Sequence, residues 1–203
     1  MLVAGLSGTR ARVAAGWREV RRLARRSGGV PAPLLGEKWR HSRFRTPGLR
    51  DALWAEGWGV DTVETATTWS ALPALVTRLE AALTGALAPW ATGGAAGGAA
   101  GGARVHAFTH LSHPYPTGSN AYTTFVFRLG RDGEETLARW RALKAAATSA
   151  LLAAGGTLSH QHGVGEEHRP HLAAEKGPLG VAAVRAALTP FDPGGLMNPG
   201  KLV

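Results

Sequence analysis

Two stretches of alternating apolar and polar residues, 104–112 and 121–129, are separated by only the eight residues 113–120. Parallel strands need a crossover of a dozen residues or more, so a connection this short admits only antiparallel pairing. The connection holds Pro114, Pro116 and Gly118, which is the chemistry of a turn. A third alternating stretch, 60–69, is rich in Val and Thr and reads as a strand. Helical spacing follows at 71–87, with Ser70 as its cap, and again from Asp132 to about residue 154, where Gly155-Gly156 ends it. Strands adjacent in sequence, with helices able to cover one face, predict an α+β fold: an antiparallel, ferredoxin-like sheet.

Upstream, residues 1–6 are apolar and run into Ser7-Gly8, a strand entering a turn. A chain that opens inside a strand looks like the continuation of something longer. Thr9 can cap a helix over 10–26 that Gly28-Gly29 closes. A loop with Pro31 and Pro33 leads to 37–56, largely helical but interrupted near Pro47, and Gly57 and Gly59 stop it. The Gly/Ala tract 91–103 is low in complexity and reads as a surface loop within a single domain spanning 1–203. A short helix at 179–188 and a Pro/Gly-rich tail at 192–203 complete the chain.

Hydrophobic residues make up 44% and charged residues 18%, enough apolar content for a core. Cysteine is absent, which excludes a disulfide scaffold, a cysteine zinc site and a thiol nucleophile. The net charge of +9 is concentrated: residues 10–50 hold 12 of the 23 basic side chains and only two acids, Glu19 and Glu37, so the remainder sums to −1. Arg18, Arg21, Arg22, Arg25 and Arg26 form a helix face, either solvated, attractive to an anionic substrate, or able to meet nucleic acid. No nucleic-acid motif accompanies them, so nucleic acid is not the expected partner. The uncharged run 81–103 contains Pro89 and the Gly/Ala tract and does not read as a membrane helix; a cytoplasmic protein is expected.

The densest chemistry lies in GGTLSHQHGVGEEHRPH, residues 155–171, with His160, His162, His168 and His171. Imidazoles titrate near neutrality, and Gly163 and Gly165 let backbone approach a ligand closely. Three readings stand. The loop faces a cofactor or substrate, or is a solvated polar loop, or binds metal through His160, His162 and one of Glu166, Glu167, His168 and His171. Gly163-Val164-Gly165 begins like a dinucleotide fingerprint but lacks the last glycine and follows a helix, so Rossmann and P-loop readings fail. Tyr115 and Tyr122 are the only tyrosines; Tyr122 starts an alternating strand and serves either chemistry or simple core packing. Arg50, taken alone, reads as a surface arginine.

The loop SHQHGVG and the tail FDPGGLMNPGKLV, supported by DTVETATTW and PTGSNAYTTFVF, resemble the C-terminal part of FAD-linked oxidases of the vanillyl-alcohol-oxidase type, nearest to the alkylglycerone-phosphate synthase group. The likeness covers nearly the whole chain. It implies FAD as cofactor and a cap, or substrate, domain over a flavin held mainly by an N-terminal FAD-binding domain that is missing here. It implies that Tyr122, His160 and His162 are catalytic and that Arg50 binds a small anionic substrate. Gln161, Gly163, Asn198 and Lys201 would lie on the flavin side. No resident metal is implied, and a homodimer is left open. In the synthases the flavin N5 adds to the substrate carbon that loses a fatty acid, and a long-chain alcohol takes its place. Gln161 stands where that group has its middle histidine, and an amide cannot shuttle protons. The alternatives are a D-2-hydroxy-acid dehydrogenase of the D-lactate type, a histidine-loop metal hydrolase and a non-catalytic anion-binding module. Alone, the chain is expected to hold FAD weakly and to be inactive.

Overall fold

A computed structural model describes residues 4–44, 48–90 and 104–202. The Gly/Ala tract 91–103 and residues 1–3 of the expected first strand lie outside these; residues 4–6 are not in a strand. The chain divides into two compact units, one ending at Leu49 and one beginning at Arg50.

In the first unit, α1 (Arg10–Arg26) and α2 (Pro33–Ser42) are helices without a buried residue. Thr9 sits at the N-cap of α1 in extended conformation, but its side chain makes no capping hydrogen bond. The second helix begins earlier than its spacing suggests because Pro33 occupies the first turn, where a missing N–H costs nothing. It also stops at Ser42, so the expected helix over 37–56 is two helices, the second being α3 (Leu49–Ala55).

The second unit is built on β1 (Trp58–Thr68), β2 (Val105–His110) and β3 (Gly118–Arg128), an antiparallel sheet in the order β1-β3-β2. With α4 (Leu72–Gly85) and α5 (Gly133–Ala153) this gives a β–α–β–β–α run, the ferredoxin-like pattern without a fourth strand among the described residues. Period-two alternation turns Val63, Thr65, Ala121, Thr123, Phe125 and Phe127 to one face. Against them α4 buries Leu72, Leu75, Leu79 and Leu83, spaced by three and four residues, and α5 buries Leu143, Ala147 and Leu151. Each fully buried leucine contributes roughly 1.5–3 kcal/mol of transfer free energy. Inward threonines are paired: Thr109 Oγ1 lies 2.9 Å from Thr123 Oγ1 and donates to Glu80 Oε1 at 2.7 Å.

Asp132 caps α5 by accepting from the Glu135 N–H, as its position predicts. Ser70 does not cap α4; Ala71 holds the N-cap position, and Ser70 Oγ lies instead 3.2 Å from Thr68 Oγ1. The short helix expected at 179–188 is the second part of a C-terminal helical element. The element runs as α7 (Leu172–Leu188), kinked at Gly177, whose φ of 72° precedes Pro178. A short α6 (Gly165–His168) stands before it in the histidine loop.

Candidate functional site

Among the described residues of the second unit, α4 and α5 pack on the first face of the sheet and no helix pair covers the second. The exposed members of β2, His106, Phe108 and His110, alternate toward it, and in β3 so does Tyr122, which pairs in register with Glu64 of β1 and His110 of β2. At the end where β1 and β3 meet the histidine loop, the site assembles around Glu64.

Glu64 is a carboxylate with 4% of its side chain exposed; two side chains, Asn120 and His160, donate to it, and the His162 ring lies beside it as an ion-pair partner. Asn120 Nδ2 lies 2.7 Å from Oε1, His160 Nδ1 2.8 Å from Oε1 and His162 Nε2 3.2 Å from Oε2. Burial alone would push this carboxyl up. The hydrogen bonds from His160 and Asn120, with the charges of His162 and His160, outweigh it and hold the group below its ordinary value. A carboxylate accepts only, so His160 Nδ1 carries the proton. In the neutral ring Nε2 then accepts, and its partner at 2.9 Å is the Tyr115 hydroxyl.

Local structure fixes these groups. Gly156 lets α5 end against the core: a Cβ there would meet Thr65 Oγ1 and Leu75 Cδ1 at 2.7 Å. Thr157 then clamps to the free edge of β1, receiving Thr65 Oγ1 on its carbonyl at 2.6 Å and the Ala66 N–H on its own Oγ1 at 3.1 Å. On the other side, the Tyr115 N–H donates to the Gly118 carbonyl at 2.7 Å, and the Trp69 indole donates to the Tyr115 carbonyl at 3.0 Å.

His160 and His162 are thus brought together on Glu64, a residue that gave no sign of this contact in the sequence. Gln161 between them is exposed at a φ of 60°. His162 and Gly163 line a cleft of about 910 Å³ with Asp61, Lys144 and Glu167. Arg50 lies apart from the histidines. It lines a second cleft of about 610 Å³ with Trp54, Val60 and Trp140, and donates to the Val60 carbonyl at 3.0 Å. Lys201 pairs with Glu166 at 3.0 Å, and Asn198 is exposed at a φ of 50°, its carbonyl accepting the Lys201 N–H. Besides Glu64, the sequence reading passed over Asn120, His113 and Tyr115 as members of the site. The one signal for Glu64 was that it and Asp61 are carboxylates inside a Val/Thr strand. As for metal, the ligand atoms of Glu64, His113 and His160 lie within 4.8 Å of one another, a set that differs from the loop-only set the spacing offered.

His168 lines the larger cleft and is partly buried. Burial pushes its imidazole below the ordinary value of 6.5; Glu167 opposes this, and Lys144 and His171 reinforce it, with Glu175 opposing more weakly. A depressed folded value means the contribution to stability is full above 6.5 and is lost as pH falls through the folded value. The melting temperature is therefore expected to fall on acidification from pH 6.5, before the carboxylates titrate. His168→Gln should flatten that part of the profile, and an unchanged slope would exclude His168 as its source.

This open sheet face, flanked by a histidine loop and an aromatic strand, defines the class. Residues 1–202 match the family described as FAD linked oxidases, C-terminal domain, and the chain belongs to it. The alkyldihydroxyacetonephosphate synthase of Dictyostelium discoideum is 28% identical over 173 residues, covering 83% of this chain and 25% of that protein. The D-2-hydroxyglutarate dehydrogenase of Stutzerimonas stutzeri is 40% identical over 47 residues, 23% of this chain and 10% of its own length. A solved alkyldihydroxyacetonephosphate synthase shares the fold with a TM-score of 0.54 at 18% identity, over 95% of this chain and 29% of that one. The chain spans about a quarter of the length of the first of these relatives.

FAD is the cofactor the family implies. The described residues fit one wall for such a group: a sheet face bearing Phe108, 48% exposed, and Tyr122. No helix of the described residues is long and apolar enough to cross a membrane.

Proposed function

We propose that this chain is the substrate-facing cap of an FAD-dependent enzyme of the alkylglycerone-phosphate synthase kind, acting on a small anionic substrate. The observation that carries the reading is the buried Glu64 with His160 hydrogen-bonded to it and His162 within ion-pair distance, beside the open sheet face. Bound FAD supplies the electrophilic and redox chemistry. The chain's residues do the rest. Glu64 holds the two rings at fixed angles, and Gln161 is limited to donating or accepting hydrogen bonds. His160, His162 and Tyr122 hold and move protons where substrate meets the sheet. Arg50 binds the anionic group of the substrate. Gly163 keeps the loop free of a side chain where a ligand approaches, and Asn198 and Lys201 belong to the flavin side. Localisation in the cytoplasm belongs to the same proposal.

A second reading, oxidation of a D-2-hydroxy acid, is favoured by the 40% identity to the D-2-hydroxyglutarate dehydrogenase across 47 residues. One experiment separates the two. The chain alone is expected not to retain FAD through gel filtration. Joined to an FAD-binding domain of the same family, it should exchange the acyl group of an acylated dihydroxyacetone phosphate for a long-chain alcohol without net flavin reduction. Flavin bleaching by D-lactate or D-2-hydroxyglutarate, with no exchange, would select the dehydrogenase. A colourless, inactive assembly would reject both.

A further inference from the structure

Tyr115 has no part in the reading above, yet its hydroxyl meets His160 Nε2 at 2.9 Å while His160 Nδ1 meets the buried Glu64 carboxylate at 2.8 Å. We propose that Glu64, His160 and Tyr115 form a proton relay in which Glu64 is the positioning residue, His160 the base and Tyr115 the end that touches substrate. Three observations carry it. The order of burial is that of a relay: Glu64 4% exposed and His160 13% exposed as side chains, and Tyr115 42% exposed as a residue. The carboxylate dictates the His160 tautomer, leaving Nε2 as acceptor for the phenol. The Tyr115 backbone is held on both sides, by Gly118 and by the Trp69 indole, so the hydroxyl is delivered by a fixed turn. The logic is that of a buried acid orienting a histidine that draws a proton from a hydroxyl, with phenol in place of serine.

In the step this permits, the Tyr115 O–H gives its proton to His160 Nε2, and the imidazolium stays paired with Glu64. The phenolate oxygen takes a proton from the substrate, and the reverse transfers return it. No electrons change hands. The inference rests on the proposed substrate-facing role of the loop for its place in turnover, but its geometry is testable without flavin.

The test is nitrogen NMR of the histidine rings in the full chain at mildly alkaline pH. His160 is expected with its proton on Nδ1. Tyr115→Phe should shift the Nε2 resonance and leave Nδ1 protonated, whereas Glu64→Leu, which leaves Nδ1 no carboxylate to donate to, should bring in the Nε2–H tautomer with circular dichroism unchanged. A proton on Nε2 in the unaltered chain, or a Tyr115→Phe spectrum identical to it, overturns the relay. So does zinc taken up at micromolar concentration by Glu64, His113 and His160 with loss of the Nδ1 proton. Joined to an FAD-binding domain, Tyr115→Phe should lower kcat by about 100-fold or more with little change in KM, and full activity there would overturn the relay. Absence of flavin activity in the unaltered assembly, with the NMR signature intact, defeats the functional reading and leaves the relay standing.

Discussion

Phe125→Ala is expected to destabilise the chain by about 3–5 kcal/mol, the usual cost of emptying a buried aromatic site. Phe125 is fully buried at the centre of the middle strand β3, where its register partners are Asp61 in β1 and Ala107 in β2. Neither is large enough to fill the space. Its ring lies 6.1 Å from that of Phe127, so the loss also removes an aromatic contact. Leu79 and Leu83 of α4 are already fully buried, and the sheet cannot slide without breaking two ladders, so collapse around the hole is limited. A domain of this size has roughly 5–15 kcal/mol of stability to lose. Thermal unfolding followed by circular dichroism should show the midpoint lowered by roughly 6–20 °C. Phe108→Ala, on the open face and 48% exposed, is the control and should change little. Equal losses for the two variants would mean that the open face is packed in solution, and that its reading as a ligand wall is wrong.

That contrast between two phenylalanines of neighbouring strands also shows what was legible in the residues. Strand identity came from alternation: Phe125 and Phe127 inward, Thr124 and Val126 outward. The eight-residue connection forced β2 and β3 to be antiparallel. Alternation states that a strand has two faces, but not which face lacks a helix, because that depends on where α4 and α5 land. The helix ends were less legible. Pro33 and Pro73 start helices in positions where their missing N–H is harmless, overriding the cap residues nearby. Gly177, at a non-helical φ of 72°, divides α7, and the helix expected at 179–188 is the part that follows it.

The site divides in the same way. His160 and His162 were visible because four histidines crowd a glycine-rich loop. Glu64 was not, because a carboxylate in a strand gives no sign of its burial until the strand's partners are known. Asn120 was read as part of a turn, and only the register Ala66–Asn120 places it at the carboxylate. Of the two tyrosines, the alternating strand drew attention to Tyr122, whereas Tyr115 reaches the histidines through the fold of the turn. Local pattern identifies residues that share an element; it is silent on residues joined across 56 or 96 positions, as Asn120 and His160 are to Glu64.

Asn120→Ala should cost about 2–4 kcal/mol, because it strands several buried partners at once. The Asn120 amide is fully buried and its bonding capacity is filled on both sides. Oδ1 accepts from the backbone N–H groups of Ser112 at 2.9 Å and His113 at 2.8 Å. Nδ2 donates to Glu64 Oε1 at 2.7 Å and Ser112 Oγ at 2.8 Å. Alanine leaves two amides and a carboxylate oxygen each short of a partner in a space water reaches poorly. It also frees the turn that carries Tyr115, so hydrogen exchange at the Ser112 and His113 amides should accelerate more than in β3. Asn120→Asp tests the charge separately. Its oxygens can still accept from both amides, but one would face the Glu64 carboxylate with no proton between them. Like charges at that distance in a buried site disfavour joint ionisation. The aspartate variant should therefore be less stable than the alanine variant near neutral pH and should recover as the pair takes up a proton in acid, opposite in sign to the acid loss expected from His168. An aspartate variant as stable as the parent at neutral pH would show that Glu64 is not ionised, and with it the account of His160 as a donor to a buried carboxylate would fail.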